Sequence, residues 1–103
     1  NLRQLLENHP ETYLNIDKMS ELSYMSKYHF IRKFKEEVGL TPHQFQIQNK
    51  IRKAQKILNN YNNTSETALN TGFFDQSHFT RYFKKITGLT PGAYKKAFIS
   101  VKN

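Results

Sequence analysis

A chain of 103 residues carries 16 Lys+Arg against 8 Asp+Glu, a formal charge of +8, and no cysteine. That length suits one domain, and the missing thiols exclude a disulfide scaffold, a Cys-ligated zinc and a thiol nucleophile. No apolar run approaches the ~18 residues of a membrane span, and no signal peptide precedes the first amphipathic segment. Only 37% of residues are hydrophobic, yet 14% are aromatic, and large rings let a small chain bury enough apolar area to fold. The excess of positive charge points to nucleic acid or an anionic membrane surface. The lack of thiols suits a reducing cytoplasm, the expected location. Asn1 is not a natural start, so the chain is expected to be a piece of a longer protein.

Leu2, Leu5 and Leu6 predict an opening helix, and Tyr13 and Leu14 a short turn after the break at Pro10. Asn15 is placed to cap a helix holding Ile16, Met19 and Leu22. Ser26 caps the next, where Phe30, Phe34 and Val38 recur at i, i+4, i+8, and Gly39 stops it. Thr41-Pro42 with Gln44 reads as an N-cap, a first-turn proline and a capping-box partner. The long helix that follows aims Phe45, Ile47, Ile51, Ala54 and Leu58 at a core. Asn59 to Asn63 is a polar break interrupted by Tyr61, a packing residue. Asn63 with Glu66 starts a helix ending near Gly72. Asp75 caps another that turns Phe79, Phe83 and Ile86 inward and stops at Gly88. Thr90-Pro91 opens the last, with Tyr94 and Phe98 on one face.

An internal repeat is the strongest signal. His29-Phe30-Ile31-Arg32-Lys33-Phe34-Lys35 returns as His78-Phe79-Thr80-Arg81-Tyr82-Phe83-Lys84, and Gly39-Leu40-Thr41-Pro42 as Gly88-Leu89-Thr90-Pro91, both at an offset of 49. Upstream, Ile16 and Met19 match Thr64 and Thr67 at 48, so one extra residue sits in the second turn. The expected architecture is all-α, with a first helix-turn-helix unit over 1–40, a linker helix over 41–60 and a second unit over 61–103.

The second helix of each unit is apolar on one side. The other side shows Lys27, Tyr28, Ile31, Arg32 and Lys35 in the first copy, and Gln76, Ser77, Thr80, Arg81 and Lys84 in the second. An α-helix fits the major groove of B-DNA, where Arg binds guanine O6/N7 and Gln binds adenine N6/N7. Arg32, Gln76 and Arg81 are therefore the chemically apt readers, while Lys50, Arg52, Lys53 and Lys56 suit phosphates or long-range steering. A lone Arg is usually a solvated charge, but matched placement in both copies favours DNA contact. The four phenylalanines read as core rather than a stacking platform, His29 and His78 as packing beside them, and Glu36 and Glu37 as charges turned away from DNA.

Enzyme readings fail on the residues: no HExxH, phosphate loop, nucleophile elbow or paired carboxylates occur, and no metal or cofactor is expected. A second class is a basic amphipathic module binding an anionic membrane or a protein partner, with DNA contact secondary. It leaves the repeat and the polar Gln76-Ser77 unexplained, so no membrane partner is expected.

The chain resembles the DNA-binding domain of the AraC/XylS family of bacterial transcription regulators. Gly72-Phe73, the run Asp75 to Lys85, Gly88 to Pro91 and Tyr94 carry the likeness, with Met25-Ser26, His29-Phe30, Arg32, Phe34-Lys35 and Gly39 in the first half. The long helix adds Arg52, Ala54 and Leu58. The resemblance implies seven helices, two helix-turn-helix units joined by a long helix, and sequence-specific binding of double-stranded DNA with two recognition helices in successive major grooves. Position by position it implies base contacts from Tyr28, Ile31 and Arg32, and from Gln76, Ser77, Thr80 and Arg81. RNA polymerase is a compatible second partner, and any effector or dimerisation part is expected before Asn1. The sequence departs from the family at Tyr24, where Gly is usual, and at Thr64 and Thr67, where isoleucines are usual. The threonines are expected to loosen the second unit.

Overall fold

The computed structural model describes residues 2–10, 12, 14–58 and 63–99. Among them all regular structure is helical: α1 (Leu2–Asn8), α2 (Ile16–Leu22), α3 (Lys27–Val38), α4 (Pro42–Ile57), α5 (Thr64–Asn70), α6 (Gln76–Thr87) and α7 (Pro91–Phe98). Tyr13 and the segment 59–62, with Tyr61, lie outside the described residues.

Local side-chain chemistry sets the helix starts. The Asn15 carboxamide accepts from Lys18 N–H at 2.8 Å, Ser26 Oγ from His29 N–H at 3.3 Å and Asp75 Oδ1 from His78 N–H at 2.7 Å. Thr41 and Gln44 exchange bonds of 3.2 and 3.0 Å, and Asn63 and Glu66 form a second reciprocal box. Each satisfies amide donors that a helix start otherwise leaves unpaired. Gly39 and Gly88 end α3 and α6 in the left-handed conformation.

The chain separates into two compact units, residues 1–49 and 50–103, with the unit boundary falling inside α4. In the first, Leu6, Met19, Phe30, Phe34 and Phe45 form a buried cluster, with Leu2, Leu14, Ile16, Met25, Ile31, Val38 and Leu40 packed around it. Phe34 meets Phe30 and Phe45 at ring distances of 5.7 and 5.5 Å. The buried Gln46 carboxamide braces the segment before α2, accepting from Leu14 N–H (3.0 Å) and donating to Leu14 O (2.8 Å). A side chain that satisfies both backbone groups of one residue fixes a loop that helix bonding cannot reach.

The second unit buries Ile51, Ala54, Leu58, Ala68, Phe73, Phe79 and Phe83. Its rings run in sequence: Phe73–Phe79 at 5.2 Å, Phe79–Phe83 at 5.5 Å, Phe83–Tyr94 at 5.4 Å and Tyr94–Phe98 at 5.0 Å. Phe73–Phe79 and Phe83–Tyr94 meet edge-to-face, and such pairs add stabilisation beyond their buried area.

The two turns share one hydrogen-bond pattern. Ser23, Tyr24 and Met25 N–H donate to Met19, Glu21 and Ser20 carbonyls, and Thr71, Gly72 and Phe73 N–H donate to Thr67, Leu69 and Ala68, every pair offset by 48. The pattern needs a left-handed residue at its centre. Gly72 supplies it with φ 82°, whereas Tyr24 adopts φ 58° with a side chain 96% exposed. The extra residue of the second turn is Phe74, inserted between Phe73 and the Asp75 cap.

Several expectations need correction. Ile86, expected to face inward, is 40% exposed rather than core. The inward slot in the last turn of α6 belongs to Thr87, whose hydroxyl donates to Phe83 O (2.8 Å) and accepts from Leu89 N–H (3.1 Å). His78 packs edge-on against Phe73 and Tyr82 as expected, but His29 stands in solvent. Thr67 is fully buried, and its hydroxyl donates to Asn63 O at 3.2 Å, so the site carries no unpaired polar group. The reason for expecting a loose second unit is thereby largely removed.

Candidate nucleic-acid interface

On α3 the exposed side carries Lys27, Tyr28, Arg32 and Lys35, with Tyr28 82% exposed. Lys27 Nζ lies 3.1 Å from Asp17 of α2. Ile31 is partly buried and packed against the core cluster, so it offers outward contact with only part of its side chain. Arg32 lines a shallow groove with His29, Lys33 and Glu36. Glu36 therefore accompanies the arginine instead of turning away from it, and Glu37 pairs with Lys33 at 3.9 Å.

On α6 Gln76, Ser77, Arg81 and Lys84 are exposed and Thr80 is half-buried. Gln76 Oε1 accepts from the Ser65 hydroxyl of α5, which orients the carboxamide at the helix start. The Arg81 guanidinium lies 5.6 Å from the Tyr82 ring centre, and Lys85 approaches the same ring at 6.0 Å. Arg81 shares a shallow groove with Phe74, Asp75, Ser77 and His78.

The long helix behaves differently from its expected solvated basic face. Arg52 and Lys56 are exposed and Lys53 is half-buried. Lys50 is 4% exposed; its ammonium donates to Gly72 O at 2.9 Å and lies 5.5 Å from the Phe73 ring centre. Burial holds its pKa below that of free lysine. Lys50 thus ties down the second turn and is removed from the phosphate-contact set. It lies three residues after Ile47 and four before Ala54, on the apolar stripe, a register that marks it as inward-facing despite its charge.

Both units contain basic residues, but their balance differs. Residues 1–49 hold six Lys+Arg against six Asp+Glu, and residues 50–103 hold ten against two, so the whole +8 belongs to the second unit. At equivalent positions of α3 and α6, Glu36 stands where the second copy has Lys85.

Among the described residues no group of His, Asp or Glu is arranged to hold a metal ion, and no helix is long and apolar enough to cross a membrane.

Two turn-coupled helix pairs, each presenting a basic, solvent-facing second helix, define a helix-turn-helix nucleic-acid-binding class. A family model described as "Helix-turn-helix domain" matches residues 19–97. The chain belongs to the AraC-type helix-turn-helix family, whose members are DNA-binding transcription regulators and not enzymes. It is 39% identical over 74 residues to the uncharacterized HTH-type transcriptional regulator YbfI of Bacillus subtilis (strain 168), covering 72% of this chain and 27% of that protein. It is 36% identical over 96 residues to the HTH-type transcriptional regulator MtrA of Neisseria gonorrhoeae, covering 92% and 32%. The chain thus spans about a quarter to a third of the length of these relatives. The crystal structure of the DNA-binding domain of AdpA, a global transcriptional factor in complex with a target DNA, superposes with a TM-score of 0.85 at 25% identity, over 92% of this chain and 86% of that one.

Proposed function

We infer that this chain is the sequence-specific, double-stranded-DNA-binding part of a bacterial transcription regulator, working in the cytoplasm. One observation carries the reading: Arg32 and Arg81 occupy equivalent, exposed positions on the second helix of two turn-coupled helix pairs. Each recognition helix enters a major groove with base contacts from Tyr28, Ile31 and Arg32 in one unit and Gln76, Ser77, Thr80 and Arg81 in the other. Lys27, Lys35, Lys53 and Lys84 meet phosphates, which position the protein without reading sequence. RNA polymerase is the second partner of such a regulator. Effector binding and dimerisation belong to the longer protein.

Selection from a random duplex pool, followed by footprinting, tests the reading. Enrichment of one sequence, protected along the duplex, is expected. Recovery of no preferred sequence, with stronger retention on anionic vesicles than on duplex, would overturn it in favour of a membrane-surface module.

A further inference from the structure

The turn leading into α6 differs from its counterpart by one residue, and that residue is aromatic. In the first unit Met25 closes the turn and Ser26 caps α3; in the second, Phe74 intervenes between Phe73 and the Asp75 cap. Phe73 is buried against His78, Phe79 and Tyr82, whereas Phe74 is 89% exposed. The fold therefore takes its packing from one ring of the pair and leaves the other in water. Phe74 lines the same shallow groove as Ser77 and Arg81, at the start of the recognition helix, where side chains meet base edges. It sits in the unit that carries the entire +8 charge, which selects a polyanion as the occupant of this face.

We propose that Phe74 is a further specificity-determining residue, laying its ring on a thymine C5-methyl group in the major groove beside the base read by Arg81. This rests on the DNA-binding reading above. A phenyl ring has no donor or acceptor for a base edge, and the thymine methyl is the apolar feature of the major groove it can recognise. The neighbouring Asp75 does not compete for the base, because its carboxylate is held by His78 N–H. Phe74 thus discriminates thymine from cytosine at a position where no hydrogen-bonding side chain of the turn is available.

The test uses the whole chain and the duplex selected by it. The wild-type profile contains a thymine flanking the position that Arg81→Ala relaxes, and Phe74→Ser loses the preference for that thymine alone. Replacing this thymine by deoxyuracil, which lacks only the methyl, weakens wild-type binding about fourfold, the worth of one buried methyl group, and leaves Phe74→Ser binding unchanged. An unaltered melting temperature for Phe74→Ser is expected from its exposure and separates contact from folding. Equal uracil sensitivity in both proteins, or an unchanged profile for Phe74→Ser, overturns the assignment while leaving DNA binding intact. Failure of the wild-type chain to select any duplex overturns both together.

Discussion

The two units repeat one backbone and differ in their electrostatics. Residues 1–49 are balanced, and four of their six cations lie beside a local carboxylate: Arg3 by Glu7, Lys18 by Glu21, Lys27 by Asp17 and Lys33 by Glu37. Residues 50–103 carry the net charge, with Arg81, Lys84 and Lys85 on a recognition helix that has no acidic residue. Shape and charge are thus separable in this chain. Both units present a helix of the right form for a groove, but the second holds the surplus positive charge, and charge of that sign is what steers a polyanion and suits its phosphates.

The turns differ in the same pairwise way. The second turn has the glycine its left-handed centre favours, and Lys50 secures it from below through the Gly72 carbonyl and the Phe73 ring. The first turn places Tyr24 in that conformation. The second turn is built without backbone strain, the first with it.

The largest effect is expected at Lys50. Lys50→Ala removes a charge-assisted hydrogen bond, leaves the Gly72 carbonyl without this donor and opens a cavity, together destabilising by about 2–4 kcal/mol. Chemical denaturation checks this, and a loss under about 0.5 kcal/mol would remove Lys50 from the support of the second turn. Next come the two arginines. Arg81→Ala weakens specific binding by ~1–3 kcal/mol if the contact is bidentate to guanine. Arg32→Ala falls at or below the lower end of that range, because Glu36 shares its groove. Specificity profiles of both variants should relax at different base positions; relaxation at one shared position would defeat the two-reader reading.

Smaller still is the exchange of the turn residues. Tyr24→Gly relieves the left-handed cost and raises stability by about 0.5–1 kcal/mol, whereas Gly72→Ala lowers it by about 1 kcal/mol or more. Thermal melts that move the same way for both would contradict the strain comparison. The smallest change is at Thr67, whose hydroxyl bonds a carbonyl already paired with the Thr67 N–H. Thr67→Val leaves no acceptor unsatisfied and shifts stability within about 0.5 kcal/mol, in either direction, as a thermal melt would show.

Features governed by neighbours along the chain are legible in the residues themselves. Asn15, Ser26, Thr41, Asn63, Asp75 and Thr90 each cap a helix from its own first turn, and the offset of the repeat locates the inserted residue. Features decided by neighbours distant in sequence are not. Gln46 reaches Leu14 across 32 residues and Lys50 reaches Gly72 across 22, partners that no local pattern names. Hydropathy at i+3 from Phe83 favours Ile86 for the core, yet the polar Thr87 at i+4 takes the inward slot by satisfying its hydroxyl on the helix end. Of the candidate site, the exposed positions of Tyr28, Arg32, Ser77 and Arg81 follow from helical phase. The presence of Glu36 beside Arg32 follows from their i, i+4 spacing, which reading the glutamates only as charges turned away from DNA overlooks.

The most direct test of unequal units is the salt dependence of binding to one selected duplex, compared for the wild-type chain, Lys33→Gln/Lys35→Gln and Lys84→Gln/Lys85→Gln. Each phosphate that is no longer neutralised should flatten the slope of log K against log salt by about 0.9. A flattening of about 1.8 is expected for the second-unit pair, with Lys85 joining Lys84 on the phosphates of a helix that has no acidic residue. About half of that is expected for the first-unit pair, from Lys35 alone, because Lys33 pairs with Glu37. Equal flattening by both pairs, or a larger one from the first unit, would contradict the unequal division of charge between the units.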